Sequence, residues 1–358
     1  MRSERSRRRL IMAVCSTAAL IAVSLTGIAR AERHTFELNA PDAHDVYLAG
    51  EMTQWAKSRL PMRKEADGIW RVTVDLDKGE WLYKYIVDGK WMADPASTNH
   101  DADGQGGQHS FLFVGAGDWE DRPDVPKGHV DTLLLESTAW GKTLKVNIYL
   151  PPGFAIGKRY PVLWLLHGSH MDADQWLKTG EVNNYMNNLI SRQAIHPFVI
   201  VMPSSDSVPY TGKSETFITE ELRAWLARTY GLDTSRARSA VAGMSMGGLG
   251  AFDLPLRHPA LYGFSFALSG YFSDDYIARL PHMSRLPMEA ILLCGSDDDL
   301  VRTNRRLVQA LHERNLAFFY REDAGAHTWQ YWSNRMVEML TAVDRYFVAG
   351  AASAPSVQ

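Results

Sequence analysis

Apolar and polar positions follow two different periods along this chain. Between residues 34 and 114 the runs are short and alternate between apolar and polar side chains, most clearly in Ile69–Leu76. The aromatic-rich run Trp81–Val87 is followed by Asp88-Gly89, a pair typical of a hairpin turn, so we expect Trp91 to begin the returning strand. This part of the chain is predicted to form a small all-β sandwich.

From residue 129 the apolar runs lengthen and are separated by segments of helical period. Val162–Leu166 and Phe198–Met202 are uninterrupted apolar runs, which are typical of parallel strands buried on both faces. The helical segments are Asn183–Arg192, Glu215–Tyr230, the residues after Ser245, Thr303–Asn315 and Gln330–Phe347. This alternation predicts a three-layer α/β domain with a mainly parallel sheet, in which ligands bind at the carboxyl ends of the strands.

The first 31 residues have the pattern of an export signal. An arginine-rich start precedes the apolar stretch Leu10–Ile28 and the small residues of Ala29-Arg-Ala31. A retained membrane anchor is the alternative, because the apolar stretch approaches the length of a bilayer span. Ser6–Ile11 also approximates a twin-arginine signal. We expect a periplasmic or secreted protein, exported by the general or the twin-arginine route, with no stable membrane span once the signal is removed.

The expected divisions of the chain are a signal at 1–31, a β-sandwich at 32–118, a linker at 119–128, an α/β domain at 129–348 and a flexible tail at 349–358. The formal net charge is -3, and it becomes -8 without residues 1–31, which hold six arginines and one glutamate. An acidic chain without a basic cluster argues against a nucleic-acid partner. Cys294 is then the single cysteine, expected as a small core residue, and it permits no internal disulfide.

Candidate chemistry begins with Gly243-Met-Ser-Met-Gly247, which follows a short apolar run. To expose the hydroxyl of Ser245 at the end of a buried strand, the backbone must turn sharply into a helix, and side chains at the two glycine positions would collide. The N–H groups at the start of that helix are suited to stabilising an oxyanion beside Ser245. The pattern therefore indicates a serine nucleophile.

Three further segments place reactive groups at the same edge of the sheet. Leu165–Ser169 ends one strand, Ile291–Asp299 ends another with three successive aspartates, and Asp323–His327 delivers a histidine before the last helix. The chain order serine, acid, histidine is that of the α/β-hydrolases. The acid is Asp297, Asp298 or Asp299. Nothing completes a metal ligand set around His167, so we expect no metal.

The second domain resembles the esterase D family of α/β-hydrolases, which includes feruloyl, acetylxylan and enterochelin esterases and mycolyltransferases. The segments that carry the resemblance are Val146–Phe154, Tyr160–Gly168, Trp176, Glu221-Leu222, Ala242–Gly248, Leu268–Gly270, Cys294–Asp298 and Gly325–Trp329. The resemblance implies that Ser245 is the nucleophile, His327 the base and Asp298 the acid, with Asp297 and Asp299 as rivals for the last role.

The resemblance also implies an oxyanion hole formed by the backbone N–H groups of Met246 and Ser169, and a mechanism that needs no cofactor. Two positions depart from the family pattern. Ser169-His-Met171 stands where a second glycine is usual, and Ala326 replaces the more usual glycine before the histidine. Neither departure removes a catalytic group.

The first domain resembles the glycogen-binding, early-set module of the AMP-activated kinase β subunit. The segments that carry this resemblance are Val46–Trp55, Gly68–Trp70, Tyr83–Tyr85 and Val87–Pro95. It implies that Trp55 and Trp91 stack on sugar rings and that Lys84 hydrogen-bonds sugar hydroxyls. Docking against the catalytic domain, as a wall of the substrate cleft, is the alternative that we favour.

These features together predict an exported serine carboxylic-ester hydrolase that acts on an esterified saccharide or an aryl ester, of feruloyl or acetyl type. The expected partners are a small-molecule or saccharide ester and a possible polysaccharide. A siderophore esterase and a sugar acyltransferase are alternatives, although the loops Ser169–Trp176 and Ser204–Lys213 contain Lys213 as their single lysine or arginine. A noncatalytic glycan-binding protein is the alternative from another class.

Overall fold

The structure is a computed structural model that describes residues 31–103, 106–205 and 208–352. Residues 1–30, on which the prediction of an export signal rests, lie outside the described residues, as do the last six residues of the predicted tail. Within the described ranges, no helix combines the length and the apolar character needed to cross a bilayer.

The first domain consists of two β-sheets. Its strands are β1 (Glu32–Asn39), β2 (Val46–Gly50), β3 (Leu60–Pro61), β4 (Arg63–Lys64), β5 (Ile69–Leu76), β6 (Gly79–Val87), β7 (Lys90–Met92), β8 (His100–Ala102) and β9 (Gln108–Val114). One sheet has the order β1-β5-β4, and the other has the order β3-β2-β6-β9-β8, with β7 paired to β6. Phe36, Leu48, Trp70 and Tyr85 form part of the core between them. The predicted all-β sandwich is confirmed.

The second domain is built on an eight-stranded sheet with the order β10-β11-β13-β12-β14-β15-β16-β17. Its strands are β10 (His129–Ser137), β11 (Lys142–Leu150), β12 (Val162–Leu166), β13 (Val199–Pro203), β14 (Ser239–Met244), β15 (Phe264–Leu268), β16 (Glu289–Gly295) and β17 (Phe319–Asp323). The pairs β10–β11 and β11–β13 are antiparallel, and the pairs from β13 through β12 to β17 are parallel. The mainly parallel sheet is as predicted.

Helices cover both faces of this sheet. They are α1 (Gln175–Lys178), α2 (Val182–Ser191), α3 (Lys213–Thr216), a π-helical turn (Phe217–Leu222), α4 (Arg223–Tyr230), α5 (Met246–Arg257), α6 (Asp274–Ala278), α7 (Val301–Glu313), α8 (Trp329–Ser333) and α9 (Met336–Ala352). In β12, Leu163 and Leu165 face the core that contains α2 and α9, whereas Trp164 faces the core that contains α4 and α5. Because successive strand residues point to opposite faces, the uninterrupted apolar run fills both cores.

Two sequence expectations about the carboxyl-terminal part differ from the structure. The segment predicted as one helix, Gln330–Phe347, is divided into α8 and α9, and Asn334 at the division donates from Nδ2 to the carbonyl oxygen of Lys78 in the first domain. The predicted tail begins at residue 349, whereas α9 continues to Ala352. Alanine-rich sequence favours helix, and Gly350 packs closely against the backbone of Ala237.

The first domain is packed directly against the second. Leu82 and Phe111 of the first domain, with Trp119 of the predicted linker, belong to the same hydrophobic core as Tyr185 and Trp329 of the second domain. Polar contacts also cross this boundary, since the buried carboxylate of Asp101 accepts hydrogen bonds from the Gln175 and Thr179 side chains at 2.8 and 2.5 Å. This arrangement agrees with the docking alternative.

Candidate active site

Ser245 lies at the sharp turn between β14 and α5. Its φ of 55° and ψ of -118° are unfavourable for a side chain with a Cβ, and such strain is common at functional sites. A Cβ at Gly243 would lie 2.4 Å from the carbonyl oxygen of Gly247, and a Cβ at Gly247 would lie 2.2 Å from that of Leu166. The two glycines are therefore required by the close approach of the backbone, as the motif predicts.

His327 is placed between Ser245 and an aspartate. Its Nε2 lies 3.0 Å from Ser245 Oγ, and its Nδ1 lies 2.9 Å from Asp298 Oδ2 and 3.0 Å from Oδ1. A carboxylate only accepts hydrogen bonds, so Nδ1 carries the hydrogen and donates to Asp298, while Nε2 accepts from the hydroxyl of Ser245. This is the tautomer in which the histidine can take a proton from the serine.

Among the three successive aspartates, Asp298 is the one that contacts the histidine. It is 2% exposed, and its Oδ1 also accepts from the backbone N–H of Leu300 at 2.7 Å. Asp297 is exposed, and its carboxylate lies 3.4 Å from Ser296 Oγ. Asp299 is exposed and lies 3.8 Å from Lys57 Nζ of the first domain. The geometry thus separates the three candidates, which the sequence did not.

The two residues expected to form the oxyanion hole lie next to each other beside Ser245. Met246 is the first residue of α5, where backbone N–H groups have no acceptor within the helix. The Ser169 hydroxyl lies 3.5 Å from Met246 Sδ, and a Cβ at Gly168 would lie 3.4 Å from Ser245 Cβ. The loop after β12 therefore passes directly beside the serine.

The residues singled out for glycan binding line one cleft of about 900 Å³ in the first domain. Trp91 is 46% exposed there, whereas Trp55 is partly buried and packs against the core shared with the second domain. Lys84 forms an ion pair with Asp103, so its ammonium group already has a carboxylate partner. The structure brings the three residues together, but in three different environments.

Several contacts at the site were not found from the sequence. The ring of Trp332 packs edge-on against His327, with 5.0 Å between the ring centres. The backbone N–H of Tyr271 donates to the carbonyl oxygen of Ser245 at 3.0 Å. Glu51 of the first domain accepts a hydrogen bond from Trp329, two residues after His327. Glu51 lies within Val46–Trp55, a segment that carries the resemblance to the glycogen-binding module, but that resemblance gives no signal for a contact with the loop of His327.

Two side chains with possible chemistry are core residues of the fold. Cys294 is fully buried, and burial raises the pKa of its thiol. His167 is also buried, which lowers its pKa, and its ring nitrogens lie 2.8 Å from the carbonyl oxygen of Gly168 and 3.1 Å from the backbone nitrogen of Ser205. Both contacts of His167 hold the loop that follows β12, next to Ser245.

Comparison with known proteins identifies the two parts of the chain. Residues 137–285 match the family model described as "Putative esterase", and residues 34–120 match the one described as "Glycogen recognition site of AMP-activated protein kinase". The second domain is thus similar to the esterase family over those residues. It follows a module similar to the glycogen-recognition type, and both resemblances inferred from the sequence are confirmed.

Curated relatives share this esterase region. An endo-1,4-β-xylanase/feruloyl esterase of Xylanibacter ruminicola is 29% identical over 254 residues, which cover 66% of this chain and 34% of the relative. An esterase of Mycobacterium tuberculosis is 29% identical over 201 residues, which cover 52% of this chain and 41% of the relative. The chain thus spans about one third to two fifths of the length of these relatives.

Solved structures agree on the fold. A ferulic acid esterase superposes with a TM-score of 0.57 at 25% identity, covering 62% of this chain and 99% of its own. The enterobactin esterase of Shigella flexneri has a TM-score of 0.72 at 18% identity and covers 89% of this chain and 94% of its own. The second likeness extends over both domains, and at that identity it shows the fold alone.

Proposed function

We propose that this protein is an exported serine carboxylic-ester hydrolase with Ser245 as nucleophile, His327 as general base and Asp298 as the acid that orients the histidine. The observation that carries the proposal is the continuous set of contacts from Asp298 through His327 to Ser245, at 2.9 and 3.0 Å. A strained serine at the start of a helix and a histidine held in the useful tautomer are arranged for acyl transfer.

The proposed reaction proceeds in two halves. Ser245 Oγ forms a bond to the ester carbonyl carbon while its proton passes to His327 Nε2, and the backbone N–H groups of Met246 and Ser169 receive the oxyanion. The bond to the leaving oxygen then breaks, and His327 returns the proton to that oxygen to release the alcohol. Water repeats the sequence on the acyl-enzyme and releases the acid. Asp298 stabilises the imidazolium in both halves.

The proposed substrate is an ester of a saccharide or an aryl ester, of feruloyl or acetyl type. Relatives named as feruloyl esterases and the neighbouring glycogen-recognition module support this choice. Siderophore ester hydrolysis and acyl transfer to a sugar remain the alternatives within the enzyme class. Export to the periplasm or the medium is proposed from the arginine-rich and apolar start of the chain.

Fluorophosphonate labelling followed by a substrate panel tests the proposal. Wild type should be labelled at Ser245, and Ser245→Ala should not be labelled. The panel contains p-nitrophenyl acetate, longer acyl esters, methyl ferulate, acetylated xylan and a catecholate ester, so that the largest kcat/KM identifies the acyl group. A chain that neither labels nor hydrolyses any ester would instead support the noncatalytic, glycan-binding alternative.

A glycan-binding role for the first domain is the second candidate, favoured by the 46% exposed ring of Trp91 in a cleft with Trp55. Trp91→Ala should weaken the retention of the protein on soluble xylan or glucan about fivefold, because one stacking contact is worth about 1 kcal/mol. Turnover of p-nitrophenyl acetate should not change. Trp55 is unsuited to this test, because it also packs against the shared core. Unchanged retention in Trp91→Ala would exclude the platform.

A further inference from the structure

The structure assigns Glu51 of the first domain as a positioning residue for His327. Glu51 Oε1 accepts a hydrogen bond of 2.7 Å from the backbone N–H of Trp329, the first residue of α8 and the second residue after the histidine. The inference rests on the proposed catalytic role of His327. It means that the first domain takes part in ester hydrolysis by fixing the histidine loop, separately from any contact with a glycan.

Glu51 is held firmly on the side of the first domain. It begins the short turn that follows β2, where the Thr53 hydroxyl bonds both the N–H and the carbonyl oxygen of Gly50 at 2.9 and 3.0 Å. Its second carboxylate oxygen, Oε2, accepts from the N–H of Leu82 in β6 at 3.2 Å. The carboxyl group therefore joins a strand of one domain to a helix of the other.

The loop that carries His327 is held from both sides. On its amino-terminal side, the carbonyl oxygen of Gly325 accepts from the N–H of Asp297 at 2.9 Å, next to the catalytic acid. On its carboxyl-terminal side, the Trp329 ring is 2% exposed and packs edge-on against Trp176 and Trp332. On that second side, Glu51 supplies the polar contact to Trp329 itself, and Trp332 Nε1 donates to Ser269 Oγ at 3.2 Å. A small shift of α8 would move His327 away from contacts of about 3 Å, and catalysis is sensitive to such displacements.

The protonation state of Glu51 makes glutamine the conservative replacement for this residue. Burial raises the pKa of the Glu51 carboxyl to about 8. Hydrogen bonds from backbone N–H groups, including that of Trp329, act in the opposite direction and lower the pKa, but burial has the larger effect. At neutral pH the group is therefore mostly uncharged, and glutamine is a close match in shape and charge. The amide oxygen of Glu51→Gln can still accept from Trp329, although the weaker contact to Leu82 is lost.

The test compares four full-length variants with wild type on p-nitrophenyl acetate. Glu51→Ala should lower kcat about tenfold with KM within about twofold, since a misplaced base weakens the transition state rather than substrate binding. Glu51→Gln should stay within about twofold of wild type. Asn334→Ala removes a different bond between the domains, that to Lys78, and should retain wild-type kcat. Glu51→Asp, one methylene too short to reach Trp329, replaces the alanine variant if that variant does not fold.

Hydrogen–deuterium exchange of residues 325–333 gives a second measurement that does not depend on activity. Exchange should be faster in Glu51→Ala than in wild type, and unchanged in Glu51→Gln. Wild-type kcat in Glu51→Ala, or an equal loss in Asn334→Ala, would overturn the inference. If wild type itself hydrolyses no ester, the proposed function is wrong, whereas equal exchange in wild type and Glu51→Ala refutes the positioning role alone.

Discussion

The three side chains at the centre of the site are expected to act together as one catalytic unit. Ser245 is expected to form the bond, His327 to move the proton, and both contacts of the histidine are close to 3 Å. We expect Ser245→Ala and His327→Ala each to lower kcat for a small ester by a factor on the order of 10³ or more, because members of a triad act as a unit. Unchanged unfolding curves would show that both variants fold. Activity retained in Ser245→Ala would refute the mechanism.

Single substitutions also test which aspartate orients His327. Asp298→Asn keeps the shape of the side chain but lets it donate to the histidine, which favours the wrong tautomer, so kcat should fall by a factor of about 10⁴. Asp297→Asn is the matched control, since the exposed Asp297 carboxylate does not contact His327. If Asp297→Asn lowers kcat and Asp298→Asn does not, the assignment of Asp298 as the acid is wrong, although the description of the fold is unaffected.

At the scale of elements, the turn between β14 and α5 sets the position of Ser245, the proposed nucleophile. A Cβ at Gly247 would meet the backbone oxygen of Leu166 at 2.2 Å, and β12 is held by strands on both sides. Gly247→Ala should therefore cost at least about 3 kcal/mol of unfolding free energy. Gly141→Ala is the control, because a Cβ there meets nothing within 4 Å and only its φ of 68° costs stability, about 1–2 kcal/mol. Equal losses of unfolding free energy in Gly247→Ala and Gly141→Ala, measured by urea unfolding, would show that the clash at Gly247 has no effect.

Much of this architecture could be predicted from the sequence because it depends on local pattern. The strand Val162–Leu166 and the turn around Ser245 are each encoded in consecutive residues, and the order of serine, acid and histidine can be read along the chain. The bond between Glu51 and Trp329 is different, since it joins residues 278 positions apart and depends on how two finished domains pack. The choice of Asp298 needed the same tertiary information, because neighbouring aspartates differ only in where the loop directs them.

At the scale of the whole molecule, the boundary between the domains contains carboxyl groups that are unusually hard to ionise. Burial raises the pKa of Glu51 to about 8 and that of Glu181, at the start of α2, to about 7. Glu80 in β6 is fully buried, and neither of its oxygens has a hydrogen-bond partner within the described part of the chain. Burial raises its pKa well above the usual range, and the nearby Glu51, Glu181 and Asp101 add to this effect.

These groups make the packing of the domains dependent on pH. A carboxyl whose pKa is higher in the folded than in the unfolded protein binds its proton more tightly when folded, so its contribution to stability falls as pH rises above about 4.5. For Glu181 and Glu51 that loss continues to about pH 7 and pH 8, the values in the folded protein. A tenfold difference in proton affinity is worth about 1.4 kcal/mol, or about 2 °C in Tm for a chain of this size.

We therefore predict that Tm, measured by calorimetry, falls by about 4 °C or more between pH 6.5 and pH 9, because the carboxyl groups with raised pKa values ionise over this range. The lowered pKa values of His34, His109 and His167 affect stability only below this range. Glu80→Gln removes one of these groups while keeping its shape and its neutral state, so the fall in Tm should be shallower in this variant and the two curves should differ most at high pH. Glu65→Gln is the control, since Glu65 pairs with Arg71 on the exposed side of the first domain and should leave the slope unchanged. If Tm changes with pH equally in wild type and Glu80→Gln, then ionisation of Glu80 does not destabilise the protein in this pH range.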